Sequence, residues 1–287
     1  MSPSSLRTTL PRPTDRLRLG LSGLTVSPIC IGITEDPDTV LEAFDAGINF
    51  FFVSADLHWP LYEGVRRGLE KLFARGPELR DQVVVGVVSY LDQPLFQALQ
   101  FNEVIAAIPG LDRVDILIAG AVWNETNFNS RFHPIVGARA LGHAGSRAVG
   151  ASFHHRRSAM LSLNCNCLDV SFVRYNTAHP GARQDVFPYL RPDRTSLIFN
   201  FKSVLSRVSP ETFASLGLDA AGHWLPKVTD YYRFVLSQAS LDGILCSPAT
   251  PGQLRDLLDA LAERPLTPQE EQYMIWLSSV ATPKYFE

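Results

Sequence analysis

Cysteine is scarce in this sequence, with four in 287 residues, too few for a disulfide-built scaffold. Its longest apolar runs are about eight residues, far short of the roughly 20 that cross a bilayer. Neither sign of charge dominates, since 26 basic residues face 29 acidic ones for a net charge of −3. These absences argue against membrane and nucleic-acid partners. The N-terminus also lacks an apolar signal core, so we expect a cytoplasmic protein.

The four cysteines form no recognisable metal or redox motif. Cys165 and Cys167 are separated by one residue, and no second pair completes a zinc site. Cys30 and Cys246 lie in strand-like runs, where cysteine packs as a small hydrophobe. The pattern therefore predicts four unpaired, structural thiols in a reducing compartment.

The chain divides into a short tail and one long patterned region. Residues 1–16 are rich in Ser, Pro, Thr and Arg and are predicted to form a flexible tail. Two short apolar runs flank Gly20 and Gly23, which indicates a hairpin over residues 17–26. Residues 17–287 are then predicted to form a single domain, because no long polar linker interrupts them.

Beyond the hairpin, eight strand-like segments alternate with helix-like segments. The predicted strands cover residues 29–33, 49–53, 83–88, 114–119, 148–151, 169–175, 196–201 and 243–246. Amphipathic segments cover residues 40–44, 65–72, 96–99, 135–138, 228–235 and 254–261. Eight such units predict an α/β fold, a (β/α)8 TIM barrel. The longest connections, at 120–134 and 202–227, would leave its C-terminal face, where such barrels build their sites.

Several segments resemble the aldo-keto reductase superfamily in order and spacing along nearly the whole chain. They read LGLSGLTVSPICIGI, AFDAGINFF, VDILI, SRAVGAS, LDVSFVRYN and PATPGQLRDLLDAL. The resemblance implies an aldo-keto-reductase-type barrel with an N-terminal β-hairpin. It also implies an Asp, Tyr, Lys and His tetrad, with NADPH lying across the barrel mouth.

The tetrad positions carry other residues. The resemblance places Val53 at the Asp position and His58 at the Tyr position. The Lys position falls on Val88 or Ser89, and the His position falls on Gly120. The chain is therefore interpreted as a divergent member that lacks the tetrad.

The positions that hold the cofactor in the family also differ. Ser152 is followed by Phe153 in place of Asn, and Phe172 replaces a Gln. Phe201 keeps the aromatic ring on which nicotinamide stacks, while Arg255 is the one cation near the expected phosphate position. These positions therefore predict no particular cofactor, and NADP binding stays open as an alternative.

A different polar set is predicted at the C-terminal mouth. The candidate catalytic residues are Asp56, His58, Tyr90 and His154. Arginine and lysine at such a position commonly bind carboxylates or phosphates, so a small anionic substrate is expected. The candidate substrate-binding residues are Trp59, Trp123, Asn124, Arg174, Asn176, Phe201 and Lys202.

Structural explanations stay open for several of these residues. His58 titrates near neutral pH and replaces the family's proton donor, but it could instead be a loop residue packed on Trp59. Arg174 could pair with Asp56. Only one of His154 and His155 is expected to face the mouth, because neighbouring side chains point in different directions.

A metal site is not predicted. Asp56, His58 and one of the two adjacent histidines could supply three ligands, but no established ligand spacing supports them.

Three functions are compatible with this sequence. The favoured one is an enzyme that performs non-redox acid/base chemistry, such as elimination, isomerisation, cyclisation or hydrolysis, on a small anionic metabolite. The second is an NAD(P)H oxidoreductase with His58 as proton donor. The third is a non-catalytic barrel that serves as a subunit or regulator and binds a protein partner.

Overall fold

Eight parallel strands close into a barrel in the computed structural model, which describes residues 6–55 and 59–281. The barrel strands are β3 (Ile29–Ile31), β4 (Phe50–Ser54), β5 (Val84–Ser89), β6 (Ile116–Val122), β7 (Ala148–Phe153), β8 (Val170–Arg174), β9 (Leu197–Phe201) and β10 (Gly243–Cys246). Around the barrel the strand order is β10-β3-β4-β5-β6-β7-β8-β9, and pairing of β9 with β10 closes it.

Helices surround this barrel. They are α1 (Asp38–Asp45), α2 (Glu63–Phe73), α3 (Pro94–Ala107), α4 (Glu125–Ala140), α5 (Arg156–Asn164), α6 (Ala182–Asp185), α7 (Pro210–Ser215), α8 (Val228–Leu236), α9 (Pro251–Leu261) and α10 (Pro268–Ala281). Their apolar faces cover the outside of the strands, which explains why the strands read as nearly continuous hydrophobic runs. The TIM barrel prediction is confirmed.

All eight predicted strands are present. The predicted connection at 120–134 differs, because β6 extends to Val122 and α4 begins at Glu125. Pro134 lies inside α4, whereas the sequence prediction places the end of the connection at that proline. Among the described residues, no helix has the length and apolar character needed to cross a membrane.

Aromatic rings fill the barrel interior. Phe50 of β4 contacts Phe172 of β8 and Phe199 of β9, with ring centroids 6.3 and 5.4 Å apart. Phe52 meets Phe172 edge-on at 5.3 Å. Because β4 and β8 lie opposite each other in the ring, these contacts identify the inner positions. Strand alternation then directs Ser54, Arg174 and Phe201 inward at the C-terminal end.

The predicted hairpin is also present, with β1 (Leu17–Arg18) antiparallel to β2 (Thr25–Val26). Its turn packs on the start of β8. Gly20 has a φ of 53°, and a Cβ there would lie 2.8 Å from the Cα of Asp169. Both the backbone conformation and the close approach require glycine.

Residues 6–16, predicted as part of a flexible tail, lie against the barrel. The Arg7 amide donates to the Ser237 carbonyl at 2.8 Å, and Leu6 forms a β-bridge with Gln238. Leu10 is buried in the main core. These contacts are not encoded in local composition, which is what the prediction used.

The cysteine prediction is wrong for one pair. Cys165 and Cys167 form a disulfide, whereas Cys30 and Cys246 are free and buried. Asn166 between the bonded pair has a φ of 52°, and this left-handed turn brings the two Cα atoms to 5.3 Å. The C-x-C spacing alone does not reveal that conformation.

Candidate functional site

Five side chains gather where β6, β7, β8 and β9 end. We call them the mouth cluster: Trp123, His154, Arg174, Phe201 and Lys202. Strand register explains the grouping, since Phe153 pairs with Val173 and Arg174 pairs with Phe201. The residues that follow these strands therefore meet at one edge of the barrel.

His154 lies among aromatic rings. Trp123 stacks on the imidazole with centroids 3.9 Å apart and planes 11° apart, and Phe201 approaches edge-on at 5.2 Å. The Nδ1 atom of His154 is buried and has no hydrogen-bond partner among the described residues. Burial, followed by the nearby charges of Lys202 and Arg174, lowers the pKa of His154 to about 4. The ring is therefore neutral at neutral pH.

Arg174 and Lys202 form a pair of like charges. Within the described parts of the chain, no acidic side chain forms an ion pair with either. On the neighbouring helices α4, α5 and α6, Asp185 pairs with Arg156 and Glu125 lies 3.4 Å from Arg157. Burial lowers the pKa of Lys202, and the charge of Arg174 lowers it further. An anion between the two cations would relieve both effects.

Lys202 has an unusual backbone conformation. Its φ is 61°, in the left-handed region that a residue with a Cβ rarely adopts. Asn176 holds it, because its Nδ2 donates to the Lys202 carbonyl at 2.9 Å. The Asn176 side chain is fully buried, and its Oδ1 accepts from the amides of Ala178 and His179. Asn176 thus contacts the site through the Lys202 backbone.

A register shift in β6 places Trp123. The shift lies between Ala119 and Val122, and Ala121 has a φ of 49°. Ser152 accepts a hydrogen bond from the Ala121 amide at 2.9 Å, and Arg131 donates to the Ala121 carbonyl at 3.0 Å. Such bulges re-aim side chains near sites. Sequence reasoning missed the roles of Ser152 and Arg131, because bulges leave no periodic signal.

The two adjacent histidines point in different directions, as expected. The His154 ring contacts Trp123 and Phe201 within the mouth cluster. The Nδ1 of His155 instead lies 2.8 Å from the Ser158 hydroxyl in the first turn of α5. Asn124 is the N-cap of α4, accepting from the Asn127 amide at 2.8 Å. Its predicted contact with substrate stays a prediction.

Three predicted site residues cannot be placed. Asp56 and His58 lie outside the described residues, as does the side chain of Trp59. Their proposed roles therefore stay predictions.

The other positions that the sequence resemblance assigns to the tetrad carry Val53, Val88 or Ser89, and Gly120. Val53 and Val88 are fully buried, and the Ser89 hydroxyl donates to Gln100 at 2.7 Å. Gly120 leaves room for Tyr90, because a Cβ at Gly120 would lie 2.5 Å from the Tyr90 Cδ1 atom. The Tyr90 ring thus covers the backbone where the family's histidine would stand.

The residues at the cofactor positions do not fit NADPH. Arg255 is bound to Glu42, with both carboxylate oxygens 2.8 Å from its Nη1. The Ser152 hydroxyl accepts a hydrogen bond from the Ala121 amide in the β6 bulge. Phe153 and Phe172 are buried, and their rings cannot hydrogen-bond a carboxamide. Phe201 alone keeps the expected character. At the positions that the resemblance assigns to NADPH, Arg255 is therefore already paired with Glu42, and loss of cofactor binding stays a prediction.

No group of three His, Cys, Asp or Glu side chains suited to a metal ion occurs in residues 6–55 and 59–281.

Comparison with known proteins identifies the fold. No protein-family model and no curated protein matches this chain. An assigned aldo-keto reductase from Pseudomonas aeruginosa superimposes with a TM-score of 0.65 and 18% identity, covering 90% of this chain and 98% of that one. An aldo-keto reductase enzyme from a Medee basin deep-sea metagenome library gives a TM-score of 0.65 and 13% identity, covering 93% and 96%. The chain therefore has the (β/α)8 barrel fold of the aldo-keto reductases.

Proposed function

We propose that this protein is a divergent, cytoplasmic aldo-keto-reductase-like enzyme that binds a small anionic metabolite at the C-terminal mouth. The reaction proposed is acid/base chemistry without hydride transfer. One observation carries the proposal: Arg174 pairs with Phe201 in the register of β8 and β9, so Lys202 follows at the same edge, and neither cation has an acidic ion-pair partner among the described residues. Two cations without an acidic ion-pair partner in the described part of the chain, beside a half-buried histidine, favour a bound anion over an empty surface.

Each member of the mouth cluster has a role in this proposal. Arg174 offers a planar, bidentate donor set to a carboxylate or phosphate, and Lys202 adds a point charge. Trp123 and Phe201 provide the walls. His154 is neutral at neutral pH, and its Nδ1 has no hydrogen-bond partner among the residues that the structure describes, so the ring can exchange a hydrogen bond or proton with the bound molecule.

The proton transfers require at least one more group. Asp56, His58 and Tyr90 are the residues proposed for it, on the sequence argument given above. Cations near a carboxylate stabilise negative charge that develops beside it. Eliminations and isomerisations that begin with removal of a proton beside a carboxylate pass through such charge.

Calorimetric titration with sulfate and with small dicarboxylates tests the anion site. Arg174→Gln should weaken binding at least tenfold, by about 1.4 kcal/mol or more, since a charge-assisted bidentate contact is lost. Arg157→Gln is the matched control, because Arg157 is exposed and only loosely paired with Glu125, at 3.4 Å. Equal affinities for wild type and Arg174→Gln would refute the anion site, as would no binding at millimolar anion.

A second function is supported by the fold and by Phe201. The structural neighbours are aldo-keto reductases, and Phe201 keeps the ring expected beneath nicotinamide. In this case His58 would donate the proton. Titration with NADPH and NADH, beside a tetrad-intact reductase, separates the two: micromolar binding would overturn the non-redox proposal.

A third function, a non-catalytic barrel that binds a protein, is supported by an exposed apolar face on α3. Leu95, Phe96 and Leu99 are 70%, 58% and 47% exposed. Replacing Leu99 with a photoreactive amino acid would allow a bound protein to be cross-linked. Recovery of a stable partner in this way, together with no anion or nucleotide binding in the titrations above, would favour this function.

A further inference from the structure

The Cys165–Cys167 disulfide lies far from the mouth cluster, at the other end of α5. Cys165 is the C-cap of that helix, and β8 begins at Val170. Since α5 starts beside His154 and runs down the barrel wall, the disulfide lies near the N-terminal face. Its role is therefore independent of the function proposed above.

The geometry of the pair suits reversible bonding. The two Cα atoms are 5.3 Å apart, within the range of ordinary disulfides. The φ of 52° at Asn166 makes this approach possible, and asparagine tolerates the left-handed conformation better than most residues. Cys165 is exposed and Cys167 partly buried, so a small thiol can reach the bond.

Little stabilisation is expected from this bond. It closes a loop with only one intervening residue. The entropy that a disulfide removes from the unfolded chain is smaller when the loop is shorter. A disulfide that contributes little to folding can open and close in the native state. The two free cysteines differ, because Cys30 and Cys246 are fully buried and their pKa values are raised by burial.

Asparagines inside and beside the pair hold the segment that leads into β9. The Asn166 Oδ1 accepts from the Thr195 amide at 2.9 Å. The Asn164 Oδ1 accepts from the Arg191 amide at 3.1 Å, and its Nδ2 donates to the Tyr189 carbonyl at 2.9 Å. A change in the backbone at Asn166 therefore reaches the start of β9 directly.

We propose that Cys165 and Cys167 form a surface thiol–disulfide exchange site, whose oxidised state fixes Asn166 against Thr195. The partner is a low-molecular-weight disulfide of the glutathione type. The Cys165 thiolate attacks one sulfur of that disulfide and expels a thiolate. The Cys167 thiolate then attacks the Cys165 sulfur of the mixed disulfide and expels the second. Two protein thiols are oxidised, the small disulfide is reduced to two thiols, and these take up the two protons.

Local charge makes this a slow site and not a redox catalyst. The Ser162 carbonyl oxygen lies 3.3 Å from the Cys165 Sγ and 3.8 Å from the Cys167 Sγ. The two cysteines also lie at the C-terminal end of α5, where the helix dipole places a partial negative charge. Both disfavour a thiolate, which is the form that attacks. Exchange is therefore expected over minutes to hours, not within a catalytic cycle.

The test equilibrates the folded protein in glutathione buffers of increasing oxidised fraction, quenches with acid, and maps alkylated cysteines by mass spectrometry. Cys165 and Cys167 should lose alkylation together as the buffer becomes oxidising. Cys30 and Cys246 should be alkylated only after unfolding, which provides an internal control. Alkylation of both Cys165 and Cys167 in every buffer would overturn the proposal. So would a bond that strong reductant opens only in unfolded protein.

Hydrogen exchange tests the coupling to β9. Reduction should speed exchange of the Thr195 amide by tenfold or more, while the Leu197 amide, held by the Asp169 carbonyl at 2.9 Å, stays unchanged. The double variant Cys165→Ser/Cys167→Ser should show the fast rate in all buffers. Equal Thr195 rates in oxidised and reduced protein would overturn the clamp.

Discussion

His154 is the residue on which most of the mouth chemistry depends. Trp123 and Phe201 cover part of its ring, and the two neighbouring cations oppose its protonation. Because an anion would cancel part of that field, its binding should raise the pKa of His154 above the value of about 4. Occupancy of the site and protonation of the ring are therefore linked.

Sulfate makes this linkage measurable, because it stays a dianion between pH 4 and 7. The protonated ring favours sulfate, so affinity should be greatest near pH 4 and should decline as pH rises through the pKa of the sulfate-bound state. Lys202 and Arg174 are the charged groups facing the ring among the described residues. Calorimetry and imidazole NMR should both report the effect.

The matched variant is His154→Gln, which should bind sulfate with nearly constant affinity over the same range. His155 provides a reference resonance, since its ring contacts the Ser158 hydroxyl and not the cluster. A pH dependence that persists in His154→Gln would assign the linkage to another group.

At the scale of elements, α10 is held to the barrel by a buried charged network. Glu271 is almost fully buried; its Oε2 pairs with Arg183 at 2.8 Å and its Oε1 accepts from Gln238 at 2.9 Å. Burial raises the pKa of Glu271, and Arg183 acts in the opposite direction. Arg183 also lies over the rings of Tyr175 and Phe234.

Glu271→Ala should lower the free energy of unfolding by about 3–5 kcal/mol, because it leaves the Arg183 charge without its carboxylate partner. The neighbouring Glu270→Ala is the control. Glu270 pairs with exposed Arg264 and caps the helix at Thr267, so its loss should cost about 1 kcal/mol. Urea denaturation compares the two, and equal losses would contradict this account of the network.

Elements were the scale at which sequence predicted the structure best. The eight strands could be located from short, nearly continuous apolar runs, and parts of several helices from apolar residues at three-to-four spacing, whereas the first turns of α4 fell in a predicted connection. The site could not be assembled in the same way. Trp123 depends on the bulge at Ala121, Lys202 on a left-handed backbone, and the Cys165–Cys167 bond on the φ of Asn166. Those dihedral angles follow from tertiary contacts such as Asn176 with Lys202, and residue spacing does not encode them.

At the scale of the whole molecule, closure links all eight strands. β10 pairs with both β3 and β9, so the first and last barrel strands depend on each other. We expect the predicted single domain to unfold as one unit. Tryptophan fluorescence and far-UV circular dichroism should give coincident urea transitions. Separate midpoints would show that part of the barrel unfolds independently.

The left-handed backbone at Lys202 sets stability against function. A residue with a Cβ loses roughly 1–2 kcal/mol in this conformation, and glycine avoids that loss. Lys202→Gly should therefore be more stable than Lys202→Ala by about 1 kcal/mol, while both lose affinity for sulfate. Thermal denaturation of the two variants checks the first statement, and equal midpoints would contradict it. In a laboratory selection for heat resistance alone, glycine should arise early at this position, and the anion site would be the first property that the evolved protein gives up.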